Sequence, residues 1–168
     1  MHWIWLSSLV VIFDQITKYL AEDMLIRHRP VNIIEGLNMT LVYNRGAAFS
    51  FLSNAGGWQR WFFMVLSLGV SIALVIWLRQ LSRTEEGKHI FLVTGLALIL
   101  GGAVGNLIDR ARLGYVTDFF QVYYGDWAFP SFNVADSAIT VGAAMLIIDS
   151  LFVSGKEKAA PEEAPHET

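Results

Sequence analysis

The 168-residue chain is long enough for one domain, but 54% of its residues are hydrophobic and only 16% are charged, which is too apolar for an ordinary soluble protein. It contains no cysteine, which excludes disulfides, thiolate metal sites and a thiol nucleophile. The net charge of −3 is slight, and no basic patch with interleaved aromatic residues indicates a nucleic-acid partner. We therefore expect an integral membrane protein.

Four stretches of the chain are candidates to cross a hydrocarbon core of roughly 30 Å as helices. The first, about residues 3–21, is interrupted by polar residues, but it lacks the basic start and small-residue cleavage site of a signal peptide. The others are about residues 58–81, 90–108 and 133–153. We expect a single membrane domain at residues 1–154, followed by a disordered acidic tail at residues 155–168.

The connections between these helices differ in character. The link at about residues 79–89 is short and polar, whereas those at about residues 22–57 and 109–131 carry turn residues and many aromatic side chains and fall on the opposite side of the membrane. Alternation in residues 38–43 predicts a strand of a small surface sheet, and residues 47–52 are a candidate partner strand. Lys and Arg occur on both sides, so the positive-inside rule leaves the orientation open.

Two predicted helices contain polar side chains that need either a partner or a function, because a charge near the bilayer centre costs at least about 2.5 kcal/mol. Asp14 and Lys18 are four residues apart, which favours an ion pair. That pair would keep Lys18 charged, which argues against a Ser/Lys peptidase. Asn106 and Arg110 share a face of the third helix and are suited to bind either a substrate carbonyl or a neighbouring carboxylate.

Small residues also mark the third helix. Gly101 and Gly105 form a small-xxx-small face, the pattern of close packing between transmembrane helices. We expect these glycines to serve packing.

The fourth helix and the loop before it supply two further acids. Asp118 is bracketed by apolar residues, and Asp136 lies in the first turn of the helix on a face with Asn133, where it could also be a simple helix cap. Because Asp118 and Asp136 come from opposite ends of one short loop, we expect them at the same depth. Two carboxylates held close in an apolar site share one proton, as in aspartic peptidases. Spacing alone leaves Asp109 and Asp14 open as alternative partners.

Other functions have weaker support in the sequence. The four histidines are scattered and form no His-Glu-x-x-His helix, and there is no nucleophile elbow or phosphate loop, so we expect no metal and no cofactor. A small proton- or ion-coupled membrane transporter is the main alternative, and a purely structural membrane subunit is the second. A transporter needs a polar path, yet the second helix has no charge between Trp61 and Leu78.

Five short segments occur in a fixed order along the chain: Asp14-Gln15-Ile16-Thr17-Lys18, Asn44-Arg45-Gly46-Ala47-Ala48-Phe49, Gly105-Asn106-Leu107-Ile108-Asp109-Arg110, Val116-Thr117-Asp118-Phe119 and Phe132-Asn133-Val134-Ala135-Asp136. Together they resemble the signature motifs of the bacterial lipoprotein signal peptidases, and residues 56–63 resemble the proteobacterial branch. Each segment is weak alone, but the ordered set is highly specific.

The resemblance implies an all-α integral membrane fold of four transmembrane helices, with a small extracytoplasmic β-sheet and loop region at the membrane surface. It implies an aspartic endopeptidase that cleaves diacylglyceryl-modified prolipoproteins on the amino side of the lipidated cysteine. The expected partners are lipid-modified prolipoproteins, membrane lipids and globomycin-type inhibitors. The expected location is the bacterial inner membrane, with both termini and the tail cytoplasmic and the active site near the periplasmic face.

The same resemblance assigns roles to individual residues. It makes Asp118 and Asp136 the catalytic dyad. The residues expected to position substrate are Asn44, Gly46, Asn106, Arg110 and Asn133. Those expected to brace the site are Asp14, Lys18 and Asp109.

Overall fold

The computed structural model describes residues 2–46, 58–84 and 89–153. In chain order they form α1 (His2–Met24), β1 (Val31–Ile34), β2 (Leu37–Asn44), α2 (Trp58–Leu81), α3 (Ile90–Arg112), β3 (Val116–Tyr124), β4 (Trp127–Ala128) and α4 (Val134–Ile148), which continues as a π-helical segment at Asp149–Val153. The predicted strand at residues 47–52 and the predicted tail at residues 155–168 lie outside the described residues.

The described residues contain four helices that are long and apolar enough to cross a membrane, as the sequence predicted: Trp3–Met24, Trp58–Leu81, Ile90–Arg112 and Val134–Leu151. α1 and α3 extend past the predicted ends at about residues 21 and 108. The extra residues are mostly charged, so the apolar stretch of the sequence ends before the helix ends. Charged side chains are compatible with a helix that has left the hydrocarbon core.

α3 is the central helix, and it packs against α4, α1 and α2. Its glycines make this possible. A Cβ atom at Gly101 would lie 2.7 Å from Val10 Cβ in α1, and one at Gly105 would lie 2.6 Å from the carboxylate of Asp14. Gly101 and Gly105 therefore form the predicted packing face, which is directed at α1. A Cβ atom at Gly102 would overlap the carbonyl oxygen of Ala135, so another side of α3 packs as closely against α4.

In the part of the chain that the structure describes, the surface sheet has four antiparallel strands in the order β1-β2-β3-β4. β2 contains the predicted strand at residues 38–43, and its neighbours are β1 and β3. The sequence did not predict β3, which lies in the segment interpreted as a loop. Its first four residues are all buried, so the strand lacks the alternation of apolar and polar residues by which a half-exposed strand is recognised.

The β3–β4 hairpin returns directly to the start of α4. Phe120 and Phe132 form an antiparallel bridge in which each backbone N–H donates to the other's carbonyl at 2.9 Å. Asp118 lies just before this bridge and Asn133 just after it. The hairpin therefore brings the start of β3 beside the first turn of α4.

Candidate active site

A buried ion cluster joins α1 to α3. Lys18 Nζ lies 2.8 Å from Asp14 Oδ2 and 2.9 Å from Asp109 Oδ2, and it donates a hydrogen bond to Asn106 Oδ1 at 2.9 Å. All four side chains are buried. The ion pair that the spacing of Asp14 and Lys18 predicted is present, and Asp109 joins it as a second carboxylate. One cation thus neutralises part of the charge of two acids where water is excluded.

The same cluster is tied to α4. Asp14 Oδ1 accepts a hydrogen bond from the backbone N–H of Ala135 at 2.9 Å. Gln15 Nε2 donates to Asp109 Oδ1 at 2.9 Å and to the carbonyl of Gly105 at 3.3 Å. Gln15 had no predicted role, although its place beside Asp14 in an apolar helix was a signal. The ion cluster therefore connects α1, α3 and α4 next to the aspartates of β3 and α4.

Asp118 lies at the start of β3 and is only 1% exposed. Its Oδ1 accepts a hydrogen bond from Asn133 Nδ2 at 2.7 Å, and its Oδ2 accepts one from Asn44 Nδ2 at 3.1 Å. Burial, followed by the negative charge of Asp136, raises the pKa of Asp118 to about 7, against the opposing effects of the two amide donors and of Lys18. Asp118 is therefore poised to hold a proton near neutral pH.

Asp136 has two structural connections. With Asn133 it forms a capping box: Asn133 Oδ1 accepts from the N–H of Asp136 at 2.9 Å, and Asp136 Oδ2 accepts from the N–H of Asn133 at 3.4 Å. Asp136 Oδ1 accepts from Asn106 Nδ2 at 2.8 Å. The helix-cap interpretation of Asp136 and its interpretation as a partner of Asp118 are therefore compatible.

Asn133 is the element that holds the two acids together. It is fully buried, and it donates from its side chain to Asp118 and from its backbone to Asp136. The geometry brings Asp118 and Asp136 into one site, whereas the alternative partners Asp109 and Asp14 are engaged by Lys18. A pair of carboxylates, one of which is protonated near neutral pH, can supply both a general acid and a general base.

Gly46 and Arg110 border the site through contacts with Phe63 of α2. Gly46 has a φ of +95°, and its N–H donates to Asn44 Oδ1 at 2.9 Å, which orients the amide that reaches Asp118. A Cβ atom at Gly46 would lie 2.5 Å from the Phe63 ring. The Arg110 guanidinium lies 5.3 Å from the centroid of that ring and experiences the charges of both Asp136 and Asp118. Arg110 is therefore a cationic group beside the two acids.

Two further sets of hydrogen bonds that hold the site in place were not predicted from the sequence. Glu22 Oε1 accepts a hydrogen bond from the hydroxyl of Thr117 at 2.7 Å, and the Thr117 N–H donates to Asp109 Oδ2 at 3.2 Å. Arg60 donates to the carbonyls of Arg110 at 3.1 Å and Ala111 at 2.9 Å, and so satisfies the last turn of α3. No local pattern marked these residues, because each acts on a segment distant in sequence.

No group of three or more His, Asp or Glu side chains in residues 2–46, 58–84 and 89–153 has an arrangement that could hold a metal ion. The groups that surround the two acids are the amides of Asn44, Asn106 and Asn133 and the guanidinium of Arg110.

Comparison with known proteins identifies the family. The family described as "Signal peptidase (SPase) II" matches residues 6–152. The chain belongs to the signal peptidase II family. It is 51% identical over 162 residues to the lipoprotein signal peptidase of Acinetobacter baumannii, covering 96% of this chain and 88% of the relative. It is 52% identical over 149 residues to that of Coxiella burnetii, covering 89% of each protein.

Solved structures agree with this assignment. A bacterial membrane enzyme determined by the in meso method at 2.3 Å resolution has a TM-score of 0.76 and 32% identity, over 98% of this chain and 94% of that one. A second, at 1.9 Å resolution, has a TM-score of 0.74 and 33% identity, over 90% of this chain and 93% of that one. The protein is thus a membrane-embedded protease of the signal peptidase II family, and the transporter and structural-subunit alternatives are set aside.

Proposed function

We propose that this signal peptidase II is an intramembrane aspartic endopeptidase whose catalytic dyad is Asp118 and Asp136. The observation that carries the proposal is the buried Asn133, which donates hydrogen bonds to both acids. The substrate class follows from the relatives, which are named lipoprotein signal peptidases. The reaction is removal of the signal peptide from diacylglyceryl-modified prolipoproteins, by cleavage on the amino side of the lipidated cysteine.

The different environments of Asp118 and Asp136 give the two acids different roles in the reaction. Since burial and the charge of Asp136 raise the pKa of Asp118 to about 7, we assign the shared proton to Asp118. Asp136 then takes a proton from water, which attacks the scissile carbonyl carbon while the Asp118 hydroxyl donates to the carbonyl oxygen. As the tetrahedral intermediate collapses, its C–N bond breaks and Asp136 returns its proton to the leaving amine. The proton that Asp118 gave to the carbonyl oxygen returns to Asp118, which restores both acids. No covalent intermediate forms.

The surrounding residues are proposed to prepare this step. The amides of Asn44, Asn106 and Asn133 fix the carboxylates, and the ion cluster of Asp14, Lys18 and Asp109 braces the helices that carry them. Arg110 is positioned to bind a substrate carbonyl, and Gly46 leaves room for the Phe63 ring that lies against Arg110. The dyad then acts from a fixed geometry, which is the condition for efficient general acid–base catalysis.

The proposed location is the bacterial inner membrane, with both termini cytoplasmic and the active site near the periplasmic face. Trp58, Trp61 and Trp127, which are 53%, 63% and 61% exposed, lie on the sheet side and suit an interfacial aromatic belt there. An acylated cysteine rests at such a surface while its signal helix lies in the bilayer, so the scissile bond would reach the depth of the dyad. Membrane lipids and globomycin-type inhibitors are further proposed partners.

Cleavage of a purified substrate tests the dyad and the substrate class together. We expect the wild-type protein to cut a diacylglyceryl-modified prolipoprotein but not its unlipidated form. Asp118→Asn and Asp136→Asn should each lose activity by about 10²–10⁴-fold or more, because a general acid or base is removed. Asp126→Asn, in the exposed turn of the β3–β4 hairpin, is the matched control. Near wild-type activity in either dyad variant would instead implicate Asp109 or Asp14.

The absence of cysteine makes the orientation directly testable. Single cysteines at Asp126→Cys and Ser82→Cys sit in exposed turns on opposite sides of the bundle. A membrane-impermeant maleimide applied to spheroplasts should label the first and not the second. The reverse pattern would place the sheet in the cytoplasm and contradict the proposed location.

A further inference from the structure

Thr117 precedes Asp118 in β3, and the proposed reaction gives it no role. Successive side chains of a strand point to opposite faces of the sheet, so the Thr117 side chain is directed away from the face that carries the Asp118 carboxylate. Thr117 is 0% exposed. It therefore cannot touch a substrate, and any effect that it has on the reaction must act through a neighbouring residue.

All three polar groups of Thr117 are hydrogen-bonded. Its hydroxyl donates to Glu22 Oε1 at 2.7 Å, its N–H donates to Asp109 Oδ2 at 3.2 Å, and its carbonyl accepts from Asn133 Nδ2 at 3.3 Å. The same Nδ2 donates to Asp118 Oδ1 at 2.7 Å. The Thr117 carbonyl also belongs to the planar peptide unit that leads into Asp118, so its orientation affects both partners of that bond.

Glu22 lies in an unfavourable place for an acid. It is in the last turn of α1, which ends at Met24 and has no basic residue in that turn. The carboxyl end of a helix carries partial negative charge, which disfavours an acid there. Asp23 in the same turn is exposed, whereas Glu22 is half-buried and contacts the Thr117 hydroxyl. This short hydrogen bond therefore compensates for the position of Glu22 and connects the end of α1 to β3.

We propose that Glu22 and Thr117 are positioning residues for the cleavage reaction, because the bond between their side chains fixes the Thr117 backbone, which holds the Asn133 amide against Asp118. The inference rests on the proposed dyad. It extends that proposal to two residues on the opposite face of the sheet, which act on the acid without contacting substrate.

Steady-state cleavage of a diacylglyceryl-modified prolipoprotein by the purified full chain tests this role. Thr117→Val keeps the branched shape but removes the donor, and it should lower kcat by about two- to tenfold with KM unchanged. Glu22→Leu, which removes the acceptor, should lower kcat to a similar extent. Thr117→Ser and Glu22→Gln keep a hydroxyl and a carbonyl oxygen respectively, and they should restore most of kcat.

Thr40→Val is the matched control. Thr40 is 5% exposed and donates to Gln121 Oε1 at 3.2 Å, so the same change removes a buried threonine hydroxyl between the same two strands. We expect wild-type kcat from this variant. A fall in kcat equal to that of Thr117→Val would show a general effect of sheet stability and overturn the proposal.

The pH profile separates positioning from a loss of folded protein. The Asn133 amide opposes the rise in the pKa of Asp118, so a loosened amide should let that pKa rise further. The fall in kcat/KM at alkaline pH should therefore move to higher pH by about 0.5–1 pH unit in Thr117→Val. A smaller folded fraction would lower the rate equally at every pH, and an unmoved profile would contradict the positioning role.

A double variant tests whether Glu22 and Thr117 act through one bond. Glu22→Leu combined with Thr117→Val should lose no more activity than the weaker of the two single variants, whereas losses that multiply overturn the proposal. Inactivity of Asp118→Asn in the same assay would then leave the dyad in place; activity of Asp118→Asn would remove the dyad and the positioning role together. If Thr117→Val does not fold, Glu22→Leu and Glu22→Gln decide the question, and equal kcat values for these two overturn it.

Discussion

Asp118→Asn is expected to remove a pH-dependent loss of folding stability that arises from the ionisation of the buried Asp118 carboxyl group. Burial and the charge of Asp136 raise the pKa of Asp118 from 3.8 to about 7. Because the folded-state value is the higher one, the stabilising effect of protonated Asp118 is complete below pH 3.8 and is lost as the pH rises through 7. At about 1.4 kcal/mol per pH unit, the interval between the two values corresponds to about 4 kcal/mol.

An amide at this position cannot ionise, so the variant escapes that loss. Its NH₂ group instead faces the side-chain NH₂ group of either Asn44 or Asn133. This contact between two donors destabilises the folded state by about 1–3 kcal/mol at every pH. The informative quantity is therefore the unfolding free energy of Asp118→Asn minus that of the wild-type protein. We expect this difference to rise by about 4 kcal/mol between pH 4 and pH 8.

Reversible unfolding by dodecyl sulfate in mixed micelles, at pH steps across this interval, measures the difference. Asp126→Asn is the control, because Asp126 lies in an exposed turn of the same hairpin and its replacement should give a flat difference. A flat profile for Asp118→Asn as well would mean that Asp118 titrates as an ordinary aspartate. The assignment of the shared proton to Asp118 would then be refuted.

Three further predictions follow from the same contacts. Above pH 7, where Asp118 loses its proton, kcat/KM for a lipidated substrate should fall about tenfold per pH unit, and a rate that stays constant to pH 9 would contradict its role as the acid. Lys18→Met should lower the free energy of unfolding by about 3–5 kcal/mol in the same micelle assay, because it leaves two buried carboxylates without their cation; an unchanged midpoint would refute this. Gly102→Ala should destabilise by about 1–3 kcal/mol, because a Cβ atom there overlaps the carbonyl of Ala135, whereas Gly69→Ala, which meets nothing within 4 Å, should not; equal effects would refute the packing argument.

Much of the membrane architecture was predictable because hydropathy and helical periodicity are local properties. The four helices and the strand at residues 38–43 were found in this way. The ion pair of Asp14 and Lys18 was likewise within reach, since residues four apart on a helix are neighbours whatever surrounds them. β3 was missed for the opposite reason, because its first four residues are buried without alternation.

The residue set of the candidate site came from five short motifs, but its arrangement did not. Spacing left Asp118 free to pair with Asp136, Asp109 or Asp14. The structure brings Asp118 beside Asp136 through the Phe120–Phe132 bridge and the capping box of α4, neither of which has a recognisable local pattern. Asp109 is drawn instead to Lys18.

The sequence by itself determined the solvent of this protein, its four spanning helices and the set of polar residues that the membrane would not tolerate without a purpose. These follow from the transfer free energy of each side chain, which hardly depends on the rest of the chain. Only the tertiary structure decided which acids are neutralised and which remain as a pair, because that depends on contacts such as the one between Asp14 and Ala135, 121 residues apart. Electrostatic coupling falls with distance in space, and distance in sequence says little about it.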